Sequence, residues 1–210
     1  MHRMSKCYIV GAGELSGFIM PESEDYIIAA DGGYDHLKGL GVMPDLIIGD
    51  GDSISDFPIG IEVLKYNPIK DETDTFLAAQ KATELGFKEV WFFGCGGGRF
   101  DHTVANLQTL AHFSKKGIKC RMYDGTACIY AITDSSLTFD SCERGYVSVF
   151  SMDDHSYGVN IWGLKYNVSD FTLSNIVPIG VSNEFVGTES GVSVEKGTLM
   201  IIKERMIVVD

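Results

Sequence analysis

Four short runs of almost unbroken apolar residues constrain the first half of this chain: Cys7-Tyr8-Ile9-Val10, Tyr26-Ile27-Ile28-Ala29-Ala30, Leu46-Ile47-Ile48 and Val90-Trp91-Phe92-Phe93. A strand with one wet face alternates apolar and polar residues, whereas a run that is apolar throughout belongs to a sheet covered on both faces. The covering helices are readable between the runs. One spans about Thr73 to Leu85, with Ala78, Ala82 and Leu85 on one face and Gly86 as its stop. Another begins after Asp101, places Val104, Leu107, Leu110 and Ala111 on one face and ends near Gly117. Alternation of this kind implies a parallel α/β sheet with right-handed crossovers.

From about Thr126 the pattern changes. The runs Ala127–Ile132, Tyr146–Phe150, Ile176–Ile179 and Leu199–Ile202 read as strands with no amphipathic helix between them. Gly, Asn, Asp and Ser punctuate them, as in an all-β sandwich or barrel. The expected organisation is a Rossmann-like parallel α/β domain over residues 1–134 and a β-sandwich over 135–210, divided near Asp134.

Bulk composition narrows the function classes. The chain has 210 residues, 45% of them hydrophobic, which is enough for a real core. A formal net charge of -12 argues against nucleic-acid binding, which relies on Lys and Arg to release counterions from phosphates. An acidic protein that handles phosphate needs another counter-charge, most simply a divalent cation. The five cysteines are odd in number and form no CxxC pair, so free thiols in a reducing cytosol are expected. The start leads into only a brief apolar run ending at Gly11, and no stretch approaches the roughly 20 residues that span a bilayer. A cytoplasmic protein without membrane contact is the expectation.

In open α/β sheets, ligands bind beyond the carboxyl ends of the strands. Here the second run leads into Asp31-Gly32-Gly33, the third into Gly49-Asp50-Gly51-Asp52-Ser53, and the fourth into Gly94-Cys95-Gly96-Gly97-Gly98-Arg99-Phe100-Asp101-His102. A further acidic segment, Lys70-Asp71-Glu72-Thr73-Asp74, opens the first long helix. Asp101 and Asp71 each have a structural explanation as a helix N-cap. Asp50 and Asp52, straddling Gly51 at a strand end, are harder to explain as turn chemistry. Acids at several matching strand ends point to a bound Mg²⁺, which offsets their repulsion, with glycines that let backbone approach phosphates and Arg99 as a planar fork for phosphate oxygens. The chain has no GxxxxGK(S/T). Gly11-Ala12-Gly13-Glu14-Leu15-Ser16-Gly17 sets its third glycine one position late for a dinucleotide fingerprint.

The blocks Ala29-Ala30-Asp31-Gly32-Gly33, Pro44-Asp45 with Ile48-Gly49-Asp50-Gly51-Asp52-Ser53, Lys70-Asp71-Glu72-Thr73-Asp74 and Gly97-Gly98-Arg99-Phe100-Asp101-His102 resemble the signature blocks of thiamine diphosphokinases, in that family's order. Gly163-Leu164-Lys165-Tyr166 and Ser182-Asn183-Glu184-Phe185 resemble its later blocks. The resemblance implies transfer of the diphosphoryl group of ATP to the hydroxyl of thiamine, giving thiamine diphosphate and AMP. It also implies a homodimer whose active sites are shared between subunits. On the matching positions, Asp50, Asp52 and Asp74 would bind Mg²⁺ or position the thiamine hydroxyl, with Asp71 close behind. Arg99 and Asp101 would meet the nucleotide phosphates and metal. Asp31, Gly32, Gly98 and His102 would lie near the nucleotide. Ser182 and Asn183 would hold the aminopyrimidine of thiamine, with Tyr166 or Trp162 as the aromatic face for its cation. Gly51 and Phe76 depart from the family's usual residues. Two rival readings are a non-catalytic nucleotide- or thiamine-binding module on the same fold and a nicotinamide-dependent oxidoreductase.

Overall fold

The computed structural model describes residues 5–49, 60–66, 71–125 and 127–204. It is a mixed α/β protein, rich in sheet and with few helices. In chain order the elements are β1 (Cys7–Val10), β2 (Tyr26–Ala30), α1 (Gly33–Gly39), β3 (Leu46–Gly49), β4 (Glu62–Lys65), α2 (Asp74–Glu84), β5 (Glu89–Phe93), α3 (Phe100–Lys115), β6 (Lys119–Asp124), β7 (Ala127–Thr133), β8 (Ser136–Phe139), β9 (Tyr146–Ser151), β10 (His155–Trp162), β11 (Val168–Ser174), β12 (Asn183–Glu184), β13 (Ser190–Ser193) and β14 (Thr198–Glu204). The chain divides into two compact units, one of Met1–Thr109 with Arg121–Gly125, the other of Leu110–Cys120 with Thr126–Asp210.

In the first unit, β5-β1-β2-β3-β4 lie side by side and pair in parallel throughout. The four apolar runs are β1, β2, β3 and β5, and their burial on both faces explains why they lack alternation. On one face, Tyr8, Phe93 and Tyr123 stack across neighbouring strands at ring separations of 5.4 and 4.9 Å, and Phe18 meets Phe93 edge-on. Tyr34 and Leu37 of α1 join the same core. The alternate residues Ile9, Ile28 and Ile48 are equally buried, and α2 packs across β1, β2 and β3. Lys6 is buried at the edge of the aromatic face, 3.6 Å from Asp25 and 4.0 Å over the Trp91 ring.

Both long helices differ in detail from the sequence pattern. Asp71 does not cap α2: Thr73 does, its hydroxyl accepting from the Phe76 amide at 3.2 Å. Asp101 lies inside the first turn of α3 and is not its cap. That helix buries Asn106, Thr109, Leu110 and Phe113, whereas Val104 is exposed. Ser114 and Ala111 are buried as well and Leu107 is half-buried, so half of the buried stripe is polar and the expected face departs from it only at Val104.

The second unit holds two antiparallel sheets, ordered β12-β9-β14-β7 and β11-β10-β13-β8. Both contribute to one core, in which Val147, Val149, Leu199 and Ile201 from the first meet Phe139, Val159, Ile161 and Val192 from the second. The run Ile176–Ile179 is not a strand. It passes beside β9, anchored where the Val149 amide donates to the Gly180 carbonyl at 2.7 Å, and it leaves Ile176 and Ile179 exposed.

Candidate active site

The strand order of the first unit reverses between β1 and β5, because β2, β3 and β4 continue to one side of β1 while β5 lies on the other. Such a switch point opens a crevice beyond the carboxyl ends of the strands. The loops leaving β1 and β5 are tied together there. Gly11 donates to the Phe93 carbonyl at 2.8 Å, Gly13 to that of Gly94 at 2.7 Å, and Glu14 to that of Gly96 at 3.1 Å. The approach requires glycine. A Cβ on Gly94, whose φ is +59°, would stand 2.6 Å from the Gly11 carbonyl oxygen. Asn106 of α3 donates to the Cys95 carbonyl at 2.7 Å and fixes the loop from its other end. Cys95 is buried in this packing, and burial pushes its thiol up to about 12.

This loop carries Gly98 in a left-handed conformation, φ +59°, directly before Arg99. The Arg99 guanidinium engages Asp101 side-on, with Nη2 2.6 Å from Oδ2 and Nε 3.2 Å from Oδ1. Asp101 Oδ1 also accepts the His102 amide at 3.0 Å. The Arg99 hydrogen bonds hold the Asp101 carboxyl below the usual carboxylate range. Arg99, Asp101 and His102 are all exposed at the head of α3.

Asp31 closes β2. Its amide donates to the Ile48 carbonyl at 2.8 Å, and its backbone adopts a left-handed φ of +52°. One of its carboxylate oxygens, Oδ1, is buried without a hydrogen-bond partner among the described residues. An orphaned buried carboxylate oxygen on a strained non-glycine residue is the kind of outlier that marks a ligand position. Gly32 is the residue before α1, and Gly33 lies so close to β1 that a Cβ there would stand 1.8 Å from the Val10 carbonyl oxygen.

Asp74 is the first residue of α2, and Asp71 is exposed just before it. Asp50 and Asp52, half of the expected metal-ligand set, lie outside the described residues. Among the described residues no group of three His, Cys, Asp or Glu side chains is arranged to hold a metal ion. The two expected donors that are described, Asp74 and Asp101, are carboxylates and so fit a hard divalent cation in kind.

The second unit contains a mostly apolar cleft of about 310 Å³, lined by Val159, Ile161, Tyr166, Phe171, Ile179 and Asn183 among others. Asn183 is buried, and its amide is committed to the backbone of Tyr166: Oδ1 accepts the Tyr166 amide at 2.9 Å and Nδ2 donates to the Tyr166 carbonyl at 2.6 Å. Tyr166 is 61% exposed at the rim, with the Lys165 ammonium 5.5 Å from the centre of its ring. Trp162 does not line this cleft; its ring covers Gly191, where a Cβ would stand 2.2 Å from it. Ser182, beside the cleft, has a left-handed φ of +59°, and its amide donates to Ser148 Oγ at 3.1 Å. The sequence reading missed Phe171 and Ile179 as cleft walls. The signal for Ile179 was its apolar run, interrupted by Pro178 and Gly180, while Phe171 stands between Asp170 and Thr172 on a mostly exposed strand and gave none.

Two family models match consecutive parts of the chain. "Thiamin pyrophosphokinase, catalytic domain" matches residues 20–122, and "Thiamin pyrophosphokinase, vitamin B1 binding domain" matches residues 134–199. The chain belongs to the thiamin pyrophosphokinase family. The thiamine pyrophosphokinase of Bacillus subtilis is 27% identical over 183 residues, covering 84% of this chain and 86% of that protein. The crystal structure of thiamine pyrophosphokinase from Bacillus subtilis superimposes with a TM-score of 0.87 at 25% identity, over 97% of this chain and 100% of that one. The yeast thiamin pyrophosphokinase, at 18% identity, shares the fold with a TM-score of 0.75 over 97% of this chain and 87% of its own. Within the thiamin pyrophosphokinase frame, the carboxylate-bearing strand ends fall in the catalytic-domain match and the Tyr166–Asn183 cleft in the vitamin B1 match. No helix among the described residues is long and apolar enough to cross a membrane.

Proposed function

We propose that this protein is a magnesium-dependent thiamine diphosphokinase, transferring the diphosphoryl group of ATP to the hydroxyl of thiamine and releasing AMP. The observation that carries the reading is the two-part family match laid over two chemically different sites: carboxylates and a glycine-bedded arginine in one unit, an apolar cleft with an aromatic rim in the other. In this reading residues 1–134 form a Rossmann-like catalytic domain and 135–210 a β-sandwich that receives thiamine. The protein works as a cytoplasmic homodimer whose active site is shared between subunits.

Asp50, Asp52, Asp74 and Asp101 would hold Mg²⁺, which when bound offsets the charge of the polyphosphate. Arg99 and the backbone of Gly98 receive phosphate oxygens, in keeping with a reaction governed by positioning and electrostatics. Asp31, Gly32 and His102 border the nucleotide. A carboxylate among Asp50, Asp52, Asp71 and Asp74 accepts the proton of the attacking thiamine hydroxyl. Tyr166 offers its face to the cationic ring of thiamine, while Ser182 and Asn183 shape the aminopyrimidine end.

Purified protein supplied with ATP, Mg²⁺ and thiamine should accumulate thiamine diphosphate over many turnovers. Stoichiometric thiamine binding without turnover would instead establish the non-catalytic binding module.

A further inference from the structure

Arg99 and Asp101 are two residues apart, both are exposed, and their side chains satisfy each other. The geometry is a fork: two guanidinium nitrogens face the two oxygens of one carboxylate, at 2.6 and 3.2 Å. That Nε–Nη2 edge is one of those a guanidinium can present to the oxygens of a phosphate group. A guanidinium cannot serve both partners through one edge. The Thr103 amide of α3 donates to the Arg99 carbonyl at 3.2 Å and holds the Arg99 backbone, while the side chain is exposed.

We propose that Asp101 is a positioning residue that occupies the phosphate fork of Arg99 in the ligand-free protein and is displaced from it by the incoming polyphosphate. This rests on the reading of Arg99 as a phosphate ligand. The carboxylate holds that edge of the guanidinium and competes with anions for it. An exposed ion pair is a weak latch, worth less than about a fivefold shift in an equilibrium constant. It therefore yields to a polyphosphate, which brings more charge and more acceptor oxygens to the same donors, and not to a single weak anion. Released Asp101 is then available to other partners at the site.

The test is a double-mutant cycle read by calorimetry, with tripolyphosphate and with ATP as probes, in EDTA and at low salt. The four proteins are the natural chain, Asp101→Asn, Arg99→Gln and the double variant. Asparagine keeps an oxygen for the His102 amide, and both side chains are exposed, so all four should melt alike. Asp101→Asn should bind the probes about two- to fivefold more tightly. In the Arg99→Gln background the same change should give no gain. An equal gain in both backgrounds would mean that only bulk negative charge was removed, and it overturns the latch while leaving Arg99 a phosphate ligand. Unaltered binding in Arg99→Gln alone overturns the latch and the phosphate reading of Arg99 together.

Discussion

Asn183 holds the backbone of Tyr166 from two sides, accepting its amide at 2.9 Å and donating to its carbonyl at 2.6 Å, across 17 residues of sequence. Sequence resemblance assigns Asn183 to the substrate directly. The geometry gives it a different task, to fix the rim from which Tyr166 faces the cleft. Asn183→Ala and Tyr166→Ala should then raise KM for thiamine by similar factors, about tenfold each if the interaction is worth a typical hydrogen bond to a ring-bearing loop. The double variant should be little worse than either, because residues acting as one unit are not additive. Steady-state kinetics on the three variants checks this; multiplicative losses would mean that each residue meets thiamine independently.

Asp31 combines a left-handed backbone with a buried carboxylate oxygen that has no partner among the described residues. Such a residue costs the fold stability and persists where function requires it. Asn tolerates the left-handed region and removes the formal charge. Asp31→Asn should raise the melting temperature by a few degrees, about 2–4 °C for a gain of about 1 kcal/mol, while weakening ATP binding. Calorimetric melting and ATP titration check both halves; a lower melting temperature would show that the carboxylate stabilises the fold.

Glycines in the first unit differ in what a methyl group would meet. At Gly33 it meets the Val10 backbone at 1.8 Å, and at Gly96 the Asp124 carboxylate at 2.7 Å. Backbone inside a parallel sheet cannot move aside, whereas the end of a side chain can. Gly33→Ala should therefore destabilise by about 3 kcal/mol or prevent folding, and Gly96→Ala by about 1 kcal/mol. Adding Asp124→Ala should restore most of the Gly96→Ala loss. Denaturant unfolding curves measure all three.

The free thiols should sort by burial. Cys95 and Cys120 are buried, each with its thiol pushed up to about 12 by desolvation, and burial raises Cys7 further. Cys128 and Cys142 are half-buried. Iodoacetamide at mildly alkaline pH should label Cys128 and Cys142 first and the other three only on unfolding, as followed by peptide mass spectrometry. Early labelling of Cys95 would contradict the packed glycine loop.

The strands β1, β2, β3 and β5 were readable nearly to the residue because burial on both faces leaves no polar position in them. β10 was not, since two of its buried positions are Ser156 and Gly158, the latter at φ +62°, and a register shift between Ser156 and Val159 breaks the alternation. β4 is four residues long with charged ends, below what periodicity can resolve. Ile176–Ile179 is apolar and yet no strand, because its side chains serve the cleft and the surface beside it. For the candidate site, Asp31 and Arg99 were legible because acids and glycines gather at strand ends. The Arg99–Asp101 fork was not, as spacing alone does not say which of two rotamers closes on the other. Nor was the Asn183–Tyr166 clasp, which joins segments that only the folded sheet brings together.

The central claim is transfer of a diphosphoryl group, and the nucleotide product tests it most directly. Chromatography of a reaction containing the purified protein, ATP, Mg²⁺ and thiamine should show AMP and thiamine diphosphate appearing in equal amounts. Release of ADP together with thiamine monophosphate would contradict the account.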